Sequence, residues 1–202
     1  MLNSMQREDD LRGLIPTAGS DSREDNPLVL PAPEPGNPSA LRQFTTIAQW
    51  HAYLNDLHLS GDSPGVLRRD YDYVLRVLSL AWWDSSVIKL AELAALARLE
   101  VAIAMRYPEK KFRSLEAALR HLVKHSGMTS ADLRSYGECG GATVENLLKD
   151  KSSSPGSSLS EIRNRLTHGD QIETMSWSWA GLFEVVRDLI DFMYPPSPGA
   201  VP

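Results

Sequence analysis

The sequence predicts an all-α fold: a bundle of about five to seven helices behind a disordered, Pro-rich N-terminal arm. Three observations carry this. Apolar residues recur at helical spacing through most of the chain. No segment shows a convincing period-two alternation. The 13 prolines crowd the ends, with six in residues 1–40 and four in 195–202, so that only Pro64, Pro108 and Pro155 interrupt the middle.

Residues 1–40 hold three Arg against seven Asp/Glu, and a stretch such as NPLVLPAPEPGNP cannot continue a helix or a central strand. They read as an acidic, solvated, flexible arm. A docking arm, with Leu28, Val29 and Leu30 against a neighbouring surface, is the alternative. The folded domain is expected over 41–194, and 195–202 as a disordered tail.

Within the domain, 41–59 places Phe44, Ile47, Ala48, Leu54 and Leu57 at helical spacing, with Gly61 as the stop. Residues 66–82 set Leu67, Tyr71, Val74, Leu75, Leu78 and Ala81 on one stripe. Residues 86–107 are rich in Ala and Leu, start after Asp84 or Ser85 and end at Pro108. Their apolar residues run nearly all round, which predicts a central helix. A helix over 114–125 starts near Ser114 and stops at Gly127, and short ones are expected at 130–136 and 142–149. After the SSSPGSS loop, Ser158 and Glu161 make a capping box for a helix closed by Gly169. The last helix is expected over about 178–194.

Composition narrows the function. The net charge of −5 argues against wrapping duplex nucleic acid by bulk electrostatics, while leaving room for a local basic patch. A single cysteine, Cys139, excludes a disulfide framework and a Cys-based zinc module, and neither a metal nor a cofactor is expected. It reads as an incidental loop thiol, and Gly140-Gly141 lacks the strand context of a phosphate loop. No apolar run is long enough for a membrane span, and the opening MLNSMQREDD has no apolar core of a secretory signal, so a cytoplasmic protein is expected.

Residues 159–170 read LSEIRNRLTHGD. Leu159, Ile162 and Leu166 share one face, leaving Arg163, Asn164 and His168 on the flank. Arg163-Asn164-Arg165-Leu166-Thr167-His168 resembles the R-N-x-x-x-H form of the R-x(4–6)-H motif of HEPN domains, with Gly after the His as in that family. The helix LAELAALARLEVAIAMRY, which carries Glu100, resembles the family's long Glu-containing helix. The resemblance covers about residues 66–194. The bare spacing is not selective, since it recurs from Arg120 to His125, and the Asn after the Arg makes the difference. The family's variant with Tyr two residues after the His pairs with nucleotidyltransferase antitoxins, and here Asp170 holds that place.

The resemblance implies an all-α homodimer that cleaves RNA without metal, as a toxin or antiviral defence effector with an antitoxin or regulatory protein as partner. The alternative is a catalytically silent HEPN-like module that dimerises or binds RNA or protein. The residues suit the chemistry. Histidine titrates near neutrality, as a base for the 2′-hydroxyl or an acid for the leaving oxygen requires. Arginine presents a permanently charged fork to phosphate oxygens. Arg163 and His168 are therefore the expected catalytic pair, supported by Asn164 and Glu100. On an ideal helix the pair diverges by about 140°, so that two copies across a two-fold axis converge better than one. A purely structural alternative makes His168 a helix cap and pairs Arg163 with an acid such as Glu100.

Residues 106–125 carry six Lys/Arg against Glu109 and Glu116. Lys110, Lys111, Arg113, Arg120 and Lys124, with Arg165, form the expected RNA-tracking surface; a solvated helix face is the alternative. Trp82–Trp83 and Trp177/Trp179 read as core or interface anchors rather than stacking platforms.

Overall fold

The computed structural model describes residues 22–37, 40–60, 62–140, 143–148, 158–167 and 181–195. The expected stops at Gly61 and Gly169, together with His168, Asp170, Trp177 and Trp179, lie outside the described residues, as does the tail from 196.

The fold is mostly helical, as expected, with a small two-stranded sheet that the sequence pattern does not announce. Strand β1 (Leu28–Pro31) pairs antiparallel with β2 (Leu41–Phe44), with Leu28 opposite Phe44 and Leu30 opposite Arg42. This corrects two expectations. Residues 28–31 are not a solvated arm: Leu28 and Leu30 are buried while Val29 points outward, which is the strand period over a half-buried surface. Residues 41–44 are not helix either. Helix α1 (Ile47–Asp56) starts only after Thr46, whose hydroxyl accepts from the Gln49 backbone N–H while Gln49 answers on the Thr46 N–H.

Helix α2 (Gly65–Ser79) buries the expected stripe, Leu67, Tyr71, Val74, Leu75 and Leu78, and a single 3₁₀ turn follows at Leu80–Trp82. Helix α3 (Val87–Arg106) is the centre of the fold. It packs most extensively on α2, next on the last helix, and also on the motif helix, as expected of 86–107 and 159–168. Its apolar surface is not fully used, however: Leu90, Val101 and Met105 are exposed. Helix α4 (Leu115–Ser126) is capped by Ser114 and closed by Gly127 in the left-handed conformation. Beyond a 3₁₀ turn at Ser130–Asp132, α5 (Arg134–Cys139) and α6 (Val144–Leu147) lead to α7 (Leu159–Thr167) and α8 (Leu182–Met193).

Residues 182–190 of α8 are buried on every side, charged ones included. Arg187 donates from Nε and Nη2 to Asp188 Oδ1, and its Nη1 reaches the Asp56 carbonyl at 2.8 Å. Asp188 Oδ2 accepts from the Ser135 N–H. The N-terminal segment locks onto the start of α8: the Gly181 N–H donates to the Pro31 carbonyl. Gly181 has φ +91°, and a Cβ there would stand 2.6 Å from Pro33 Cδ, so only glycine fits.

Candidate nucleic-acid interface

Helix α7 forms where expected, with the Ser158 hydroxyl accepting from the Glu161 N–H and Leu159 and Ile162 buried on its inner face. That anchoring turns Arg163 toward α3. The guanidinium grips the Glu100 carboxylate through Nε to Oε1 at 2.8 Å and Nη2 to Oε2 at 3.3 Å. Nη1 is left to donate to Asn164 Oδ1 at 3.3 Å. Both partners of the ion pair are about one-third exposed (37% and 36%), so water reaches it.

Beside this pair lies an open cavity of about 630 Å³, lined on one side by Arg163, Asn164 and Ser160, and on the other by Glu100, Ile103 and Ala104 of α3. Its third wall is the segment Lys110–Leu115. Pro108 follows the end of α3, and the chain turns back through a Tyr107 carbonyl to Lys110 N–H bond. Lys110, Lys111, Arg113 and Arg163 thus surround one space in which Glu100 is the only acid among the described residues. Such a cavity attracts an anion with spaced oxygens.

The other expected RNA-contacting residues are placed differently. Arg120 does not line the cavity; it is held by Glu116 one turn away at 2.7 Å. Lys124 is exposed further along α4 and does not line it either. His168 and the side chain of Arg165 lie outside the described residues.

A cluster of rings next to the cavity went unread in the sequence. Tyr107, Phe112 and His121 meet with centroids 5.0–6.2 Å apart, and the His125 ring leans on His121 at 4.7 Å, tilted by 31°. Burial, then the nearby Lys110 and His125, hold the His121 imidazole below its ordinary value. The i, i+4 spacing of His121 and His125 was the available signal. The Arg120–His125 repeat of the motif spacing is therefore made of an ion-paired arginine and a histidine in ring contact with His121.

Among the described residues no group of three His, Cys, Asp or Glu side chains is arranged to hold a metal ion, and no helix is long and apolar enough to cross a membrane. Comparison with protein-family models, with curated proteins and with solved structures finds no match to this chain.

Proposed function

We propose that this chain is a HEPN-type endoribonuclease that cuts RNA without metal, working in the cytoplasm as a homodimer and serving as a toxin or defence effector under an antitoxin or regulatory partner. One observation carries the reading: Lys110, Lys111 and Arg113 come together with Arg163 and Asn164 around a single cavity, although 50 or more residues separate the two groups in sequence. In this reading the cations track the phosphates. His168 takes the proton of the 2′-hydroxyl, or supplies one to the departing 5′-oxygen. The 2′-oxygen forms its bond to phosphorus as the 5′-oxygen bond breaks, leaving a 2′,3′-cyclic phosphate. Arg163 offsets the charge of the crowded phosphorane.

The bare stripe of α3 supports the homodimer. Leu90, Val101 and Met105 are exposed along the helix that supplies Glu100, so a second copy seated there would bring two motifs to one groove.

The bidentate Arg163–Glu100 pair favours a second reading, the silent binding module, because it partly neutralises the arginine in advance. Incubating the purified protein and its His168→Ala variant with total RNA, with and without EDTA, tests the proposal. Cleavage that survives EDTA and is lost in the variant supports the nuclease. Binding without any cleavage supports the module.

A further inference from the structure

A second cavity, of about 410 Å³, lies away from the Arg163 site, where the N-terminal segment, α1, α5 and α8 meet. Its charged and polar walls are Arg42, Asp56, Ser135, Glu138, Glu184 and Arg187. Most of these groups satisfy one another. Arg134 joins Asp56 to Glu138, at 2.7 and 2.8 Å. Arg187 is consumed by Asp188 and Asp56. Arg42 is drawn to Glu34 and lies over the Phe44 and Tyr53 rings.

Two groups of the lining are left over. Among the described residues no hydrogen bond is made at Oε2 of Glu184, 6% exposed, whose carboxyl the equally unpartnered Tyr53 hydroxyl faces, or at Oγ of Ser135, 2% exposed. Both residues line the cavity. A buried acceptor left unpaired is destabilising, and more so if it is charged, so such atoms in a cavity call for a partner. The missing partner must donate hydrogen bonds, and positive charge suits it best, because the free group is a carboxylate. The volume falls within the range of small-molecule sites.

We propose that this cavity is a binding site for a small primary amine, whose ammonium donates to Glu184 Oε2 and Ser135 Oγ. Three N–H donors on one compact cation match these two acceptors and leave one for water. The arginines around the cavity do not compete for Glu184, since each is committed to another partner. The site is independent of the RNA reading: neither Arg163 nor any lysine of the first cavity contributes to it.

The titration of Glu184 adds a signature. Burial pushes its carboxyl up to about 7. Tyr53 of α1, Tyr71 of α2, Arg42 of β2, Cys139 of α5 and Arg187 of α8 surround it; a backbone hydrogen bond and the Tyr53 hydroxyl, then the two arginines, oppose the shift without cancelling it. Protons therefore compete with the ammonium below neutrality.

The test is calorimetric titration of the full chain, free of RNA, with putrescine, using butane-1,4-diol as the uncharged analogue. Saturable putrescine binding is expected, strengthening from about pH 6 to about pH 8 as the carboxylate ionises. Glu184→Gln keeps the shape and removes the charge, and should weaken binding by about tenfold or more; Ser135→Ala should weaken it less. Cys139, the chain's one cysteine, also lines the cavity and reports occupancy directly: putrescine should slow its alkylation in the wild type but not in Glu184→Gln. Absence of saturable binding overturns the proposal. So does equal binding by the diol, or full affinity in Glu184→Gln. Arg163→Ala should bind putrescine as the wild type does, so failure here leaves the nuclease reading standing, and the reverse holds.

Discussion

Arg163 and Glu100 meet through two hydrogen bonds of 2.8 and 3.3 Å across the packed faces of α7 and α3, with Asn164 Oδ1 taking a third N–H of the same guanidinium. The pair is about one-third exposed, so its contribution to stability is only about 0–1 kcal/mol. Its consequence lies in orientation: the fork is held beside the cationic cavity. Arg163→Ala should therefore lower RNA cleavage by about 10²-fold or more with the fold intact, as general losses of transition-state charge stabilisation do. His168→Ala should lower it by about 10²–10⁴-fold. Gel assays beside circular dichroism separate lost chemistry from lost structure.

Lys110, Lys111 and Arg113 should act on binding rather than on chemistry. Replacing each by Ala should weaken RNA affinity uniformly across sequences and reduce the slope of log K against log salt by about one for each phosphate left without its cation. Arg120→Ala should change the slope little, because Arg120 is paired with Glu116 outside the cavity. Filter binding at several salt concentrations decides this, and equal slopes for Arg113→Ala and Arg120→Ala would remove the cavity from the RNA path.

The helices were legible because their signal is local. Leu67, Tyr71, Val74, Leu75 and Leu78 sit at a spacing that any window over α2 displays, and Ser114 and Gly127 mark the ends of α4 within a residue. The two strands were not, because each is only four residues long, too short for alternation to stand out, and each is made by a partner supplied through a turn. The Pro-rich composition that argued for a solvated arm is compatible with an edge strand, where a missing N–H costs nothing. Arg163 and Asn164 were readable on α7, but their neighbourhood was not: Lys110 shares a cavity with Arg163 only because α3 ends at Arg106 and the chain turns back. The buried charges of α8 were hidden for the same reason. Arg187 finds Asp56 from 131 positions away, and Asp188 finds Ser135 from 53.

The packed N-terminal strand makes a stability prediction. Leu30 is 2% exposed, opposite Arg42 in the register. Leu30→Ala should destabilise the protein by about 2–5 kcal/mol in urea, as large-to-small changes in a core do. Val29→Ala, one residue away on the outer face, should cost far less. A truly solvated arm would show no difference between them.

The bare face of α3 makes another. Leu90→Glu with Met105→Glu places charge on exposed apolar positions and so leaves the core alone. A homodimer seated on this stripe should become a monomer by light scattering, and cleavage should fall with it. A wild type that is already monomeric at micromolar concentration would count against the shared groove.

Glu184 supplies the last prediction, in the pH dependence of stability. Its carboxyl is pushed from an ordinary 4.5 up to about 7 by burial. Between those values the native state binds a proton that the unfolded chain has released, so stability falls as pH rises through this window. The stabilisation is fully present below about pH 4.5 and lost above about pH 7, where the buried group must carry charge. Glu92, also raised to about 7 by burial, contributes with the same sign, so the comparison must isolate Glu184. Glu184→Gln is neutral at every pH. Its melting temperature should exceed that of the wild type above neutrality, with the gap closing steadily as pH falls toward 4.5. Putrescine should narrow the same gap from the other side, by stabilising the wild type at high pH and leaving Glu184→Gln where it is. Parallel melting curves for the two proteins across the whole range would mean that the carboxyl is hydrated in the native state, and the buried-acid account of this cavity would fail with them.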